Sequence, residues 1–188
     1  TGNQPGTVDI SLYSNLQDKN YDVGVVDVAY DNTKEHSLGA VAEAINKLSD
    51  VLGISAKATV SSTTEGNVAA GKTDKDFAIN DVVIGEIDVT SGDTSGTLVK
   101  AINNKTAEHG VQASVDTDGK LTLTSNDGRA IKVNTGSSGG TEQVIGNADM
   151  STIGYVQLNQ TGSNEIIVNN TAGGDVVTLN NDLDVNSA

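Results

Sequence analysis

Asp76–Val133 reads DFAINDVVIGEIDVTSGDTSGTLVKAINNKTAEHGVQASVDTDGKLTLTSNDGRAIKV, and its changes of periodicity decide the fold. It opens as an alternating β-branched run (Ile79, Val82, Ile84, Ile87, Val89) and crosses a Ser/Gly/Asp/Thr cluster. A short helix carrying Leu98, Val99 and Ile102 comes next. Gly110 stands where a helix end needs a left-handed residue, and Val111, Ala113 and Val115 resume the two-residue period of a strand. Asp118-Gly119 and Asp127-Gly128 each favour a type I′ turn. The stretch therefore reads as strand, helix, strand and two closing hairpins.

The same block occurs earlier in the chain. With Ile45 set over Ile102, a shift of 57 positions, LGAVAEAINKLSDVLGISAKA from Leu38 overlies SGTLVKAINNKTAEHGVQASV from Ser95. Gly39, Ala44, Ile45, Asn46, Gly53 and Ala56 then match Gly96, Ala101, Ile102, Asn103, Gly110 and Ala113, and Val25-Val26 fall on Val82-Val83. Identities that track a helix and its stop are a structural signal, and two copies are too few for a solenoid. The fold class read from this is α+β: two small subdomains, each a mainly antiparallel sheet packed by one short helix. Residues 1–70 form the first unit, completed by strands from residues 141–188; residues 71–140 form the second.

Composition bounds the rest. The chain has 188 residues, and units of half that size bury a modest share of their surface, so each core is expected to be thin. Four Tyr and one Phe leave Val, Ile and Ala to fill those cores. A net charge of −14, with Arg129 the sole arginine, argues against nucleic acid or an anionic membrane as partner, since phosphate binding needs clustered Lys and Arg. Without cysteine there is no disulfide, thiolate nucleophile or zinc-thiolate site. No apolar run approaches a bilayer span, and no basic-then-apolar leader is present. A start at Thr1 suggests a processed or excised fragment.

In order, Thr1–Thr7 reads as a linker, Val8–Tyr13 as a half-buried strand and Val23–Tyr30 as a more apolar one. Ser37 caps a helix whose Leu38, Val41, Ala42, Ile45 and Leu48 form one stripe; Gly53 ends it and Ile54–Ser61 is a strand. Ser62–Lys75 reads as a polar junction, and NTGSSGGTEQ after Val133 as a low-complexity loop. Tyr155–Leu158 and Glu165–Val168 flank a hairpin signal, Val176–Leu179 is a last strand, and these C-terminal strands are expected to rejoin the first unit.

Several motifs imitate chemistry. Gly66–Thr73 satisfies the phosphate-loop pattern G-x-x-x-x-G-K-[ST], but Lys72-Thr73 leads into alternating β-branched residues, leaving no helix N-terminus to hold phosphate. Gly136–Gly140 matches G-x-S-x-G, yet Thr141 and Glu142 open no convincing helix. The only candidate bases, His36 and His109, lie beside helix ends where a solvated imidazole is ordinary. Aligned on Gly119, a calcium loop would have Asp116 and Asp118 but Ser114 and Ser125 at its ends, which a hairpin explains better; a weak exposed calcium site stays open. Asn104, Asn159 and Asn169 begin N-glycosylation triplets of the kind an Asn/Thr-rich chain makes by chance. No catalytic, cofactor-binding or metal-ligating residue is assigned.

Phe77–Ile84, Leu98–Asn103, Gly110–Ala113, Gly119–Ser125 and Gly128–Ile131, in that order, resemble the repeat of the central region of bacterial flagellins, F-x-I-N-G-x-x-I, A-I-N, G-V-x-A, G-x-L-x-L-x-S and G-x-x-I. The resemblance covers residues 77–133 well and 23–60 in part, and Ala148-Asp149-Met150 looks like the segment after the repeat in epsilon-proteobacterial flagellins. Asp81 stands where the family usually has Gly, and the long heptad helices of the flagellin ends are absent. The resemblance implies outer, surface-exposed flagellin domains with other flagellin subunits as partners and no enzyme activity, cofactor or small-molecule substrate. It also implies export to the extracellular filament and, without the polymerising helices, a monomeric fragment. Two rivals remain: an outer domain of a hook-associated or cap protein, and a secreted adhesin or carbohydrate-binding module.

Overall fold

The computed structural model describes residues 4–146, 149–161 and 166–170. The chain is α+β. Strands β1 (Gly6–Ser14) and β2 (Lys19–Val28) form a hairpin, followed by helices α1 (Leu38–Asn46) and α2 (Ser49–Leu52) and strands β3 (Ile54–Thr59) and β4 (Ser61–Thr63). Four two-residue strands come next: β5 (Gly71–Lys72), β6 (Ala78–Ile79), β7 (Val82–Val83) and β8 (Asp88–Val89). Then come α3 (Thr97–Asn103), α4 (Thr106–His109), β9 (Val111–Val115), β10 (Leu121–Ser125), β11 (Val133–Asn134), α5 (Gly140–Ile145), β12 (Tyr155–Gln160) and β13 (Ile166–Asn170). Every ladder among the described residues is antiparallel.

Two apolar clusters organise these elements. One gathers Val8, Ile10, Leu12, Val41, Ile45 and Ile54 with Ala130 and Ile153, and Val156, Leu158, Ile166 and Val168 pack on it. The other gathers Val60, Phe77, Ile79, Leu98, Ile102, Leu121 and Leu123 with Val144, Ile145 and Met150. Phe77 is the one aromatic among the largest fully buried side chains, so small aliphatics do fill both interiors. After β3 the chain enters the second cluster at Val60, touches the first again at Ala130, and returns to it at Ile153.

The two copies of the block fold alike in detail. In the first, the Asn46 side chain donates from Nδ2 to Ala56 O (2.8 Å) and accepts at Oδ1 from Ala56 N (2.7 Å). In the second, Asn103 makes the same pair of bonds to Ala113 O (3.0 Å) and Ala113 N (2.7 Å). Each asparagine occupies the outer edge of a strand that would otherwise leave one amide and one carbonyl unpaired. Gly53 and Gly110 take φ of 65° and 72° after α2 and α4, which lets the chain reverse onto that strand.

The copies differ in what pairs with this strand on its other side. β9 pairs with β10 through a five-residue connection, Leu123 facing Ala113 and Leu121 facing Val115. β3 pairs instead with β12, Leu158 facing Ala56 and Val156 facing Ala58. Thus β12 repeats β10 at a shift of 35 positions, the separation of Leu123 from Leu158. The next bond repeats too, Asn126 N donating to Gly110 O (3.1 Å) and Thr161 N to Gly53 O (2.9 Å). Between β3 and β12 the chain runs through the whole second copy, where β9 and β10 have only a short loop between them.

Several local expectations change. The Asp76–Val89 run is not one strand: Asn80 and Asp81 take φ of 50° and 63° in a two-residue turn between β6 and β7. Asp118-Gly119 makes no type I′ turn; Asp116 N donates to Lys120 O (3.0 Å) across a three-residue loop with only Gly119 left-handed. Asp127-Gly128 starts no hairpin, because Asn80 Oδ1 accepts from Lys132 N (2.8 Å) and draws the next segment to β6 instead of β10. Ile54–Ser61 divides at Val60, its two halves pairing with different strands. Ser62–Lys75 is no mere junction, since Val68 sits in the second cluster and Thr73 and Asp74 are buried. The Leu38–Leu48 stripe breaks after Asn46 into two helices. The loop after Val133 contains α5. Val176–Leu179 and the 162–165 turn lie outside the described residues.

Asn103→Ala leaves a buried strand edge with an unpaired amide and carbonyl, and should destabilise the second cluster by about 1–3 kcal/mol. Asn46→Ala should do the same to the first. Chemical denaturation of both variants checks this, and equal stability to the parent would remove the clamp as a structural determinant.

Candidate functional site: the joint around Arg129

The chemical look-alikes resolve into packing. Lys72 lies on β5, exposed, paired with Glu86 (3.2 Å) and Asp88 (3.6 Å). The residue after it, Thr73, donates its hydroxyl to Gly85 O (2.8 Å) and accepts from Ile87 N (2.8 Å), and the chain then turns at Lys75–Asp76 toward β6, so no helix end stands behind Lys72.

The G-x-S-x-G segment does open a helix, α5, contrary to expectation. Its start is held by Asp74, a buried carboxylate that accepts from Ser138 N (3.0 Å) and Thr141 N (2.8 Å) while Thr141 Oγ1 accepts from Asp74 N (2.9 Å). These bonds, the Thr141 amide foremost, hold the Asp74 carboxyl below the usual carboxylate range. The glycines follow from crowding: a Cβ on Gly136 would stand 2.4 Å from Asp74 Cβ, and one on Gly140 2.5 Å from Lys72 O. No imidazole attends Ser138. His36 is paired with Asp31, whose hydrogen bond raises the imidazole's pKa.

His109 is not solvated; it is completely buried, with Nδ1 accepting from Val111 N (3.1 Å) and Nε2 against Ile102 O (3.0 Å). The Asp116 carboxylate is occupied by the amides of Asp118 and Lys120 (2.9 Å each), closing the hairpin loop. Among the described residues no group of three or more His, Cys, Asp or Glu could hold a metal ion. No helix described is long and apolar enough to cross a membrane.

What the residues do assemble is a joint between the two clusters, centred on the sole arginine. Arg129 donates from Nε to both Asp127 carboxylate oxygens (3.1 and 3.0 Å) and from Nη1 to Asn32 Oδ1 (2.9 Å) and Asn32 O (3.2 Å); its Nη2 is 2.9 Å from Asp127 Oδ2. Burial pushes the Asp127 carboxyl up, but the bonds and charge of Arg129 outweigh it, and the group titrates below its ordinary value. Asn32 Nδ2 donates to Glu108 O (3.1 Å), so one asparagine from the β2–α1 loop touches both the arginine and the end of α4. Guanidinium fits here because it is planar and forks between carboxylate and amide.

Two glycine contacts seal the joint. Gly110 lies under the guanidinium, where a Cβ would come within 2.4 Å of Arg129 Nη2. Gly128, at φ +83°, packs on α1, where a Cβ would meet Gly39 Cα at 2.6 Å. Composition marks Arg129 only as the sole arginine, and Asn32 carries no sequence signal. The matched Gly39, Gly110 and the G-x-x-I glycine Gly128 are the available clue, although glycines also serve turns.

Gly128→Ala forces a left-handed alanine, costing about 1–2 kcal/mol, and drives its methyl into the α1 backbone. Destabilisation at or above that figure is expected in urea unfolding, with amide shifts at Asn32 and Gly39. Unchanged stability and spectra would mean that the backbones do not touch.

Comparison with known proteins bears directly on this block. The family described as the flagellin hook IN motif matches residues 76–127, from the start of the β6–β7 region to the Asp127 of the joint. Flagellin A of Helicobacter mustelae is 50% identical over 95 residues, which is 50% of this chain and 19% of that protein. Flagellin B of Helicobacter pylori is 38% identical over 140 residues, 70% of this chain and 27% of that protein. Flagellin A of Helicobacter pylori is 38% identical over 130 residues, 69% of this chain and 25% of that protein. The chain thus spans about a fifth to a quarter of the relatives' length. With an IN motif in its second copy and Helicobacter flagellins as relatives along most of its length, the chain is similar to a region of epsilon-proteobacterial flagellins.

Proposed function

We propose that this chain forms the outer, surface-exposed part of a flagellar filament subunit, supplying filament surface and contacts with neighbouring subunits rather than catalysis. The observation that carries the reading is the pairing of β13 with β1. Ile10 faces Asn170 and Ser14 faces Ile166, so β13 runs back toward the end of the sheet at which β1 begins. A chain that departs and returns along neighbouring strands can be an excursion from a single stalk. At the far end the β1–β2 turn carries Leu16, 69% exposed, and its Gln17 reaches Val51 of α2, also exposed.

A net charge of −14 supports the same reading, because a solvated acidic surface resists non-specific association. The chain by itself is monomeric, and its partners are further copies of the parent subunit. In this reading the second unit is inserted into the first; a change of cluster at Val60 and again at Ile153 supports it, with Ala130 reaching back between them.

This chain has no cysteine, so a single one can be placed in it and read against the unsubstituted parent as labelling control. Leu16→Cys in the parent protein should react with a maleimide dye along the whole length of assembled filaments on intact cells. Dye confined to the hook–filament junction or tip would favour a hook-associated or cap protein, dye away from flagella an adhesin. Labelling only after depolymerisation would contradict surface exposure.

A further inference from the structure

The block is duplicated, but among the positions buried in both copies one differs in kind: the residue before the left-handed glycine is Leu52 in the first copy and His109 in the second. A leucine there needs only apolar neighbours. A histidine must satisfy two ring nitrogens, and here Nδ1 faces the Val111 amide, which can only donate, while Nε2 faces the Ile102 carbonyl, which can only accept. The ring is therefore the neutral tautomer with its proton on Nε2. A second proton has one place to go, Nδ1, and would put two donors face to face inside the core.

We propose that His109 is an acid-sensitive latch, which on taking up a proton at Nδ1 loses the Val111 amide and loosens the second unit at its joint with the first. Hydrogen bonds and close packing connect the latch to that joint. Asn80 Nδ2 donates to His109 O (2.8 Å), and Asn80 also holds Lys132. Gly110, the next residue, lies under the Arg129 guanidinium. Val111 begins β9, whose pairing with Ser125 leads to Asp127.

The charges around the ring come from several elements. Glu108 on α4 favours the protonated form, whereas Arg129 beyond β10 and Lys105 before α4 oppose it. Asp127 is engaged by Arg129, and Lys132 beside Asn80 is paired with Asp81 (2.9 Å). Burial outweighs them all and holds the imidazole below its ordinary pKa. Stability from a neutral buried His109 is therefore complete above the unfolded value near 6.5, and is lost as pH falls from there toward the folded value.

The test is amide exchange on this 188-residue chain, corrected for intrinsic rates, with Gly53 and Ile54 of the first copy as internal control. Below about pH 6.5 the opening constant at Gly110 and Val111 should rise by up to tenfold per pH unit, the limit for one proton, while that at Gly53 and Ile54 does not. His109→Leu, the first copy's residue, should abolish the slope. Should that variant fail to fold, ring nitrogen shifts of the parent decide: they should report the Nε2–H tautomer and a titration coincident with loss of Val111 protection. A His109→Leu slope equal to the parent's would overturn the latch, as would parallel loss in both copies or titration at an ordinary midpoint with Val111 still protected.

Discussion

The asparagine that closes each helix ties a helix end to a strand edge with two hydrogen bonds, and the rest of the molecule depends on that tie. A strand paired on one side only is a liability, both because it is underbonded and because it invites another chain. Asn46 and Asn103 cover that edge with a side-chain amide, which matches a peptide group donor for acceptor. The left-handed glycine downstream is needed so that the strand comes back within reach, and the apolar residues at Ile45 and Ile102 are then buried against it. Helix, turn and strand become one cooperative piece with little need for aromatic volume.

Once that piece is stable on one edge, its other edge accepts any strand with the right alternation. The second copy uses its immediate neighbour β10; the first uses β12, from almost a hundred residues later. Leu158 and Val156 replace Leu123 and Leu121 in register, and Thr161 repeats the bond of Asn126. An insertion at a hairpin tip costs mainly loop-closure entropy, which grows slowly with length. Arg129, Asn32 and the Gly39–Gly128 contact then join the second copy to the first.

Much of this is legible in the sequence. The helices at Leu38 and Thr97, the Ser37 cap, Gly53, Gly110 and the strands after them follow from periodicity and backbone preference, and the repeat is visible through Asn46 and Asn103. What escapes such reading are features set by partners distant in the chain. Asp74 makes a helix of a Gly/Ser loop from 64 residues away, and Asn80 reroutes Lys132 from 52 residues away. Around the buried His109, Asn80 bonds its carbonyl and Arg129 lies over the next residue, Gly110, both from elsewhere in the chain. The joint is the least legible part, because glycines that permit contact look the same as glycines that permit turns.

We propose that the second copy occupies the hairpin loop of the first. Replacing residues 59–155 with the Asp116–Lys120 loop would join Ala58 to Val156 as Val115 is joined to Leu121. Measured by amide exchange and NMR, the shortened chain is predicted to fold with the β3–β12 ladder and the Asn46–Ala56 bonds intact, at reduced stability because Ala130 and Ile153 are gone. An unfolded chain, or a folded one in which Leu158 no longer faces Ala56, would contradict the account.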